Sequence, residues 1–244
     1  MIRIILILLF VILFLMIGIP VLGIEWLIGK VSKKTMDYSS LRLVQWAFRT
    51  VLKISGVELT VIGEENVPDE PVLFIGNHRS YFDIVITYAR CKRLTGYIAK
   101  KEMLSIPLLS TWMKRLYCLF LDRSNPKEGL KTILQAIDYV KQGISICIFP
   151  EGTRNTGEEL SMLPFHAGSF KIAEKTGCAI VPMSLNNTAD IFEGHFPFVK
   201  KTHVILEYGT PIYPKELDKE TRKHVGEYCS NIIQETINKN QALV

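Results

Sequence analysis

The chain opens on an unbroken apolar run: from Ile4 to Ile24 no residue carries a charge, and Ile, Leu, Val, Phe and Met make up nearly all of it. About 20 such residues reach roughly 30 Å as a helix, the thickness of a bilayer's hydrocarbon core. The run is too long for a cleaved signal peptide and lacks an A-x-A-like site. Gly18, Pro20 and Gly23 offer bends, so a helix that dips into one leaflet and returns fits as well as one that spans. Lys30, Lys33 and Lys34 follow directly and place the downstream side in the cytoplasm if the run spans. At the helical period, Leu41, Val44, Phe48, Val51 and Leu52 then share one face, with Arg42, Gln45, Arg49 and Lys53 in a narrow stripe opposite. Such a helix suits the headgroup layer, and equally the core of the protein's own domain.

From residue 57 the period changes. Short apolar runs predict strands at 58–62, 72–76, 96–99, 116–121, 144–149, 179–184 and 203–207. Helical patterns fall at 83–90, 127–142, 167–176 and 216–239, and Gly143 and Gly177 stand where helix C-caps belong. This alternation predicts an α/β fold, a mostly parallel mixed sheet flanked by helices, with ligand-binding residues in loops beyond the strand C-termini. The expected division is an N-terminal membrane anchor with its amphipathic helix (1–54) and one α/β domain (55–244), which is long enough for a real core.

Three polar clusters fall where such loops are expected. After the strand at 72–76 comes Asn77-His78-Arg79-Ser80-Tyr81-Phe82-Asp83. On one regular helix His78 and Asp83 would be splayed by about 140°. They meet only if His78 lies in the preceding loop, and the S-x-x-D capping pattern of Ser80 and Asp83 starts the helix between them. A carboxylate on one ring nitrogen fixes the tautomer and leaves the other as a base. Alone, the same pattern also describes a mere cap beside an incidental histidine. After the strand at 144–149 comes Phe149-Pro150-Glu151-Gly152-Thr153-Arg154, whose carboxylate and guanidinium suit a substrate with hydroxyl and phosphate groups, or a structural ion pair in a tight turn. The third, Leu119-Phe120-Leu121-Asp122-Arg123, ends a strand on a second arginine.

Composition narrows the classes. The net charge is +5, with basic residues in small groups such as Lys92-Arg93, Lys100-Lys101 and Lys114-Arg115. Each pair taken singly is a solvated surface feature; together they favour anionic lipid or an acidic carrier protein. Nucleic acid is disfavoured, because no recognition motif accompanies the charge. The five cysteines lie far apart, without CxxC or zinc spacing, and several sit in apolar runs as core residues of a reducing compartment.

Together, Asn77-His78 through Asp83 (an NHx4D motif), Arg123, Phe149–Arg154 (FPEGTR) and Val181-Pro182 occur in the order of a known family. The chain resembles the 1-acyl-sn-glycerol-3-phosphate acyltransferases of the PlsC type over roughly residues 40 to 210. It departs in two places: Tyr117-Cys118 stands where family members often have an early Gly, and Asn155 where Ser is common after FPEGTR.

The resemblance implies transfer of an acyl group from acyl-CoA or acyl-carrier protein to lysophosphatidic acid at a membrane, with the catalytic domain on the cytoplasmic side. It implies His78 as general base held by Asp83. Arg123 and Arg154 would hold the acceptor phosphate, and Glu151 would contact its glycerol. Gly152 and Thr153 complete that loop, Lys100 and Lys101 add positive field, Asn155 tunes acceptor contacts, and no metal or cofactor is needed. Glycerol-3-phosphate or another lysolipid remains open as acceptor. A lipid hydrolase is less favoured, since no G-x-S-x-G elbow exists. A non-catalytic scaffold gives no reason to keep His78, Asp83, Glu151 and Arg154 together.

Overall fold

Residues 1–158 and 160–244 are described by a computed structural model. Helix α1 (Ile2–Val31) runs through Gly18, Pro20 and Gly23 without a break, and the chain reverses at Ser32 into α2 (Lys33–Ser55). The Ser32 hydroxyl accepts from the Thr35 amide at 3.2 Å, which caps α2 and fixes the reversal. Phe10 packs on Trp46, with ring centroids 5.7 Å apart, and the Ser39 hydroxyl donates to Glu25 at 2.6 Å. Those contacts define an antiparallel hairpin. The bends that Gly18, Pro20 and Gly23 offered are not used; the chain reverses at Ser32, beyond the apolar run.

In α1 only Ile7, Gly18 and Glu25 are buried, while Ile5, Leu9, Ile12, Met16 and Leu27 stand exposed. Helix α2 instead docks on the protein: Leu41, Val44, Ala47 and Val51 are buried in a common core with the sheet. Its polar stripe also points partly inward. Gln45 donates to the Cys91 carbonyl at 2.6 Å and Arg49 to the Ala89 carbonyl at 3.2 Å, satisfying the end of the helix beneath. Of the two places open to this helix, the domain's own core is the one occupied.

The rest of the chain alternates as expected: β1 (Glu58–Ile62), β2 (Leu73–Gly76), α3 (Tyr81–Arg90), β3 (Thr95–Lys100), α4 (Leu109–Arg115), β4 (Leu119–Leu121), α5 (Pro126–Lys141), β5 (Ser145–Ile148), α6 (Lys171–Thr176), β6 (Ile180–Asn186), β7 (His203–Tyr208), α7 (Lys219–Lys223) and α8 (Val225–Asn240). The strands form one sheet in the order β1-β7-β6-β2-β5-β3-β4, parallel except for the β6–β7 pair. Alternate side chains divide the core. Phe74, Cys147, Val181 and Met183 face the layer that holds α2 and α3, while Leu73, Ile75, Ile146, Ile148 and Ile180 face α5, α6 and α8. Strands buried on both faces explain why their apolar runs carry no alternation.

Two expectations shift. The strand expected at 116–121 begins only at Leu119, because α4 ends in a turn: Tyr117 adopts φ +60° and the Cys118 amide donates to the Met113 carbonyl at 2.9 Å. The helix expected at 216–239 is broken at His224 into α7 and α8. The five cysteines are free, and burial pushes their thiols up, Cys91 to about 11 and Cys118 and Cys229 to about 12.

Candidate active site

The loop after β2 is fixed before any side chain reaches the surface. Buried Asn77 pairs with the Leu185 backbone in both directions, donating at 2.9 Å and accepting at 2.8 Å. Ser80 then caps α3 in a full capping box with Asp83. Asp83 is completely buried, and its Oδ2 accepts from the amides of Arg79 (2.7 Å) and Ser80 (2.8 Å) and from His78 Nδ1 (2.7 Å). The His78 ring stacks on Phe149 at 4.5 Å and 19°. Its other nitrogen, Nε2, makes no hydrogen bond to any described residue and lies beside the C-terminal edge of the sheet. Because a carboxylate can only accept from Nδ1–H, the neutral ring in this arrangement has its lone pair on Nε2, which is the form a general base requires.

The loop after β5 supports His78 from the other side. Glu151 was expected to reach the acceptor's glycerol. In the structure it is buried, and both its oxygens are engaged by backbone: Oε1 accepts from the His78 amide at 2.7 Å and Oε2 from the Leu163 amide at 2.8 Å. Its carboxylate clamps two loops together. Burial raises its pKa, and the two amides oppose that shift. Asn155 likewise turns inward: its amide donates to the His78 carbonyl at 2.7 Å and its side chain holds Ser161 and Gly157. Gly152 turns at φ +74°, and a Cβ there would lie 3.1 Å from the His166 ring and 3.7 Å from the Arg123 guanidinium carbon. Arg123 and His166 therefore both border this glycine. Thr153 is exposed.

Arg154 lies flat on Tyr81, its guanidinium carbon 3.7 Å from the ring centroid, and donates to the Tyr81 hydroxyl (3.1 Å) and to Glu193 (3.0 Å). Lys100 is exposed at the end of β3. Lys101 is taken up by Asp122 at 2.7 Å; that contact and Ser124 hold the Asp122 carboxyl down to about 2. Sequence reasoning did not single out Tyr81, His166 or Glu193. Tyr81 at least lies inside the first motif, whereas Glu193 is 39 residues from the arginine it holds, and no spacing signals it.

An imidazole whose Nδ1 is held by a carboxylate can deprotonate a hydroxyl, and guanidinium groups on the neighbouring loops can bind an anion. Residues 58–186 match the family model described as Acyltransferase. The 1-acyl-sn-glycerol-3-phosphate acyltransferase of Saccharomyces cerevisiae is 31% identical over 196 residues, 78% of this chain and 64% of that protein. The protein of the same name from Borreliella burgdorferi is 32% identical over 154 residues, 63% of this chain and 61% of its own length. The chain thus spans somewhat under two thirds of these curated relatives. A solved structure of the 1-acyl-sn-glycerophosphate (LPA) acyltransferase PlsC from Thermotoga maritima superposes with a TM-score of 0.79 at 23% identity, covering 98% of this chain and 97% of that one, and has the same fold. With the family model matching more than half of its residues, the chain belongs to the acyltransferase family.

Proposed function

We propose that this protein transfers a fatty acyl group from acyl-CoA or acyl-carrier protein to the sn-2 hydroxyl of 1-acyl-sn-glycerol-3-phosphate, giving phosphatidic acid for phospholipid biosynthesis. The observation that carries this reading is the His78–Asp83 contact, which leaves Nε2 open, with Arg154 packed on Tyr81 at the start of the helix that carries Asp83. Neutral His78 removes the acceptor's hydroxyl proton as the oxygen bonds to the thioester carbonyl carbon. The carbon–sulfur bond then breaks, and the imidazolium returns its proton to the leaving thiolate. Arg123 and Arg154 hold the acceptor phosphate. Purified protein supplied with radiolabelled lysophosphatidic acid and each donor is expected to form phosphatidic acid. Free fatty acid released without acceptor, acylation of glycerol-3-phosphate alone, or no thioester consumption would each overturn it.

Arg154→Ala is expected to raise the acceptor KM about 10- to 100-fold with little change in kcat, since one charge-assisted contact is worth about 1.5–3 kcal/mol. An acceptor titration at saturating donor checks this. An unchanged KM removes Arg154 from phosphate binding.

The exposed apolar face of α1 belongs in lipid, seating the domain on the cytoplasmic surface of a bilayer. Deleting residues 1–31 is expected to leave the protein in the supernatant when anionic liposomes are sedimented. Cutting at residue 54 instead also removes Leu41, Val44 and Val51 from the core. At about 1.5–3 kcal/mol each, that loss rivals a typical domain's whole stability of about 5–15 kcal/mol, so the shorter fragment aggregates. A 32–244 fragment that still pellets with liposomes puts the anchor elsewhere.

A further inference from the structure

We propose that Glu193 is a positioning residue for the acceptor phosphate, acting through Arg154; this rests on the reading of Arg154 as a phosphate ligand. Glu193 lies in a short turn after β6, far in sequence from both motifs, yet its carboxylate joins them. Oε1 accepts from the Tyr81 amide at 2.8 Å and from Arg154 at 3.0 Å, and Oε2 accepts from the Ser80 hydroxyl at 2.7 Å. The Tyr81 amide is an orphan donor of the first turn of α3, a place where a carboxylate is favoured. Glu193 is therefore held by the helix that carries Asp83, and it in turn holds Arg154.

The guanidinium is fixed on three sides: the Tyr81 ring beneath, the Tyr81 hydroxyl on one amino group and Glu193 on the other. Of its five N–H donors, three make no hydrogen bond to any described residue and remain for an incoming phosphate. A long, flexible side chain loses rotamer freedom when it binds, and a side chain ordered in advance loses less. Glu193 thereby sets the distance between the phosphate and His78 without touching the reacting atoms.

The test is a double-mutant cycle on the full chain, read as KM and kcat for lysophosphatidic acid in mixed micelles, with melting temperatures alongside. Glu193→Ala is expected to raise the acceptor KM about tenfold with kcat within about twofold, and to add nothing further in an Arg154→Ala background. Glu193→Gln keeps an oxygen for Tyr81 and Arg154 and is expected to restore a KM near wild type. If Glu193 only capped α3, its loss would disturb Asp83 and lower kcat. A fall in kcat at constant KM, an unchanged KM, or effects that multiply in the double variant each overturn the proposal. Wild-type protein that forms no phosphatidic acid fails the functional reading first, before Glu193 is tested.

Discussion

Replacing His78 with alanine is expected to lower kcat by about 10²- to 10⁴-fold, the span typical of a lost general base. The fold should survive. The His78 side chain is 15% exposed, and its main packing partner is the Phe149 ring, a contact worth about 0.5–1.5 kcal/mol. Asp83 stays satisfied without it, because the Arg79 and Ser80 amides still donate to the same oxygen. Steady-state rates on lysophosphatidic acid, beside a thermal melt, separate the two effects. Near-normal turnover in this variant would remove the proposed base.

Asp83→Asn is expected to cost nearly as much activity, about 10²- to 10⁴-fold in kcat, together with a measurable loss of stability. An asparagine can be placed in two ways. With its oxygen where Oδ2 now sits, it keeps the amide contacts but loses the charge that stabilises the imidazolium formed during transfer. It also buries an amide NH₂ where Oδ1 now has no partner among the described residues. Turned over, it offers hydrogen to the Arg79 and Ser80 amides and drives the ring proton to Nε2, the wrong tautomer for a base. A group left buried and unpaired costs about 1–3 kcal/mol, so a lowered melting temperature should accompany the lost rate. An Asp83→Asn protein with wild-type kcat would show that the carboxylate only caps α3.

The strands and the first motif were legible because local chemistry fixes them. Leu73 to Gly76 is an apolar run closed by a glycine, and Ser80 and Asp83 cap the next helix whatever surrounds them. That start site allows His78 and Asp83 to converge, and the fold brings them together. Glu151 was harder. A motif shows that a carboxylate is present but not which donors claim it, and two backbone amides from separate loops do so here. The direction of α2 was also closed to periodicity, since one apolar stripe fits lipid or protein equally; the carbonyls at the end of α3 draw Gln45 and Arg49 inward and settle it. Helix α4 has only seven residues, too short for a clear helical period. Glu193 reaches the site from beyond β6, and only the folded chain brings it to Arg154.

The left-handed backbone at Tyr117 ties distant parts of the chain together. A side chain there costs about 1–2 kcal/mol, which a glycine would avoid. The phenol offsets it by donating to Asp37 near the start of α2, where Lys33 also meets it. Beyond Tyr117 the three residues of β4 lead straight to Arg123. A displacement of the α1–α2 hairpin is thereby passed along a few covalent bonds to Arg123, which the proposed function assigns to the acceptor phosphate. While that phenol stays bonded, the start of α2 and the segment that leads to Arg123 move together.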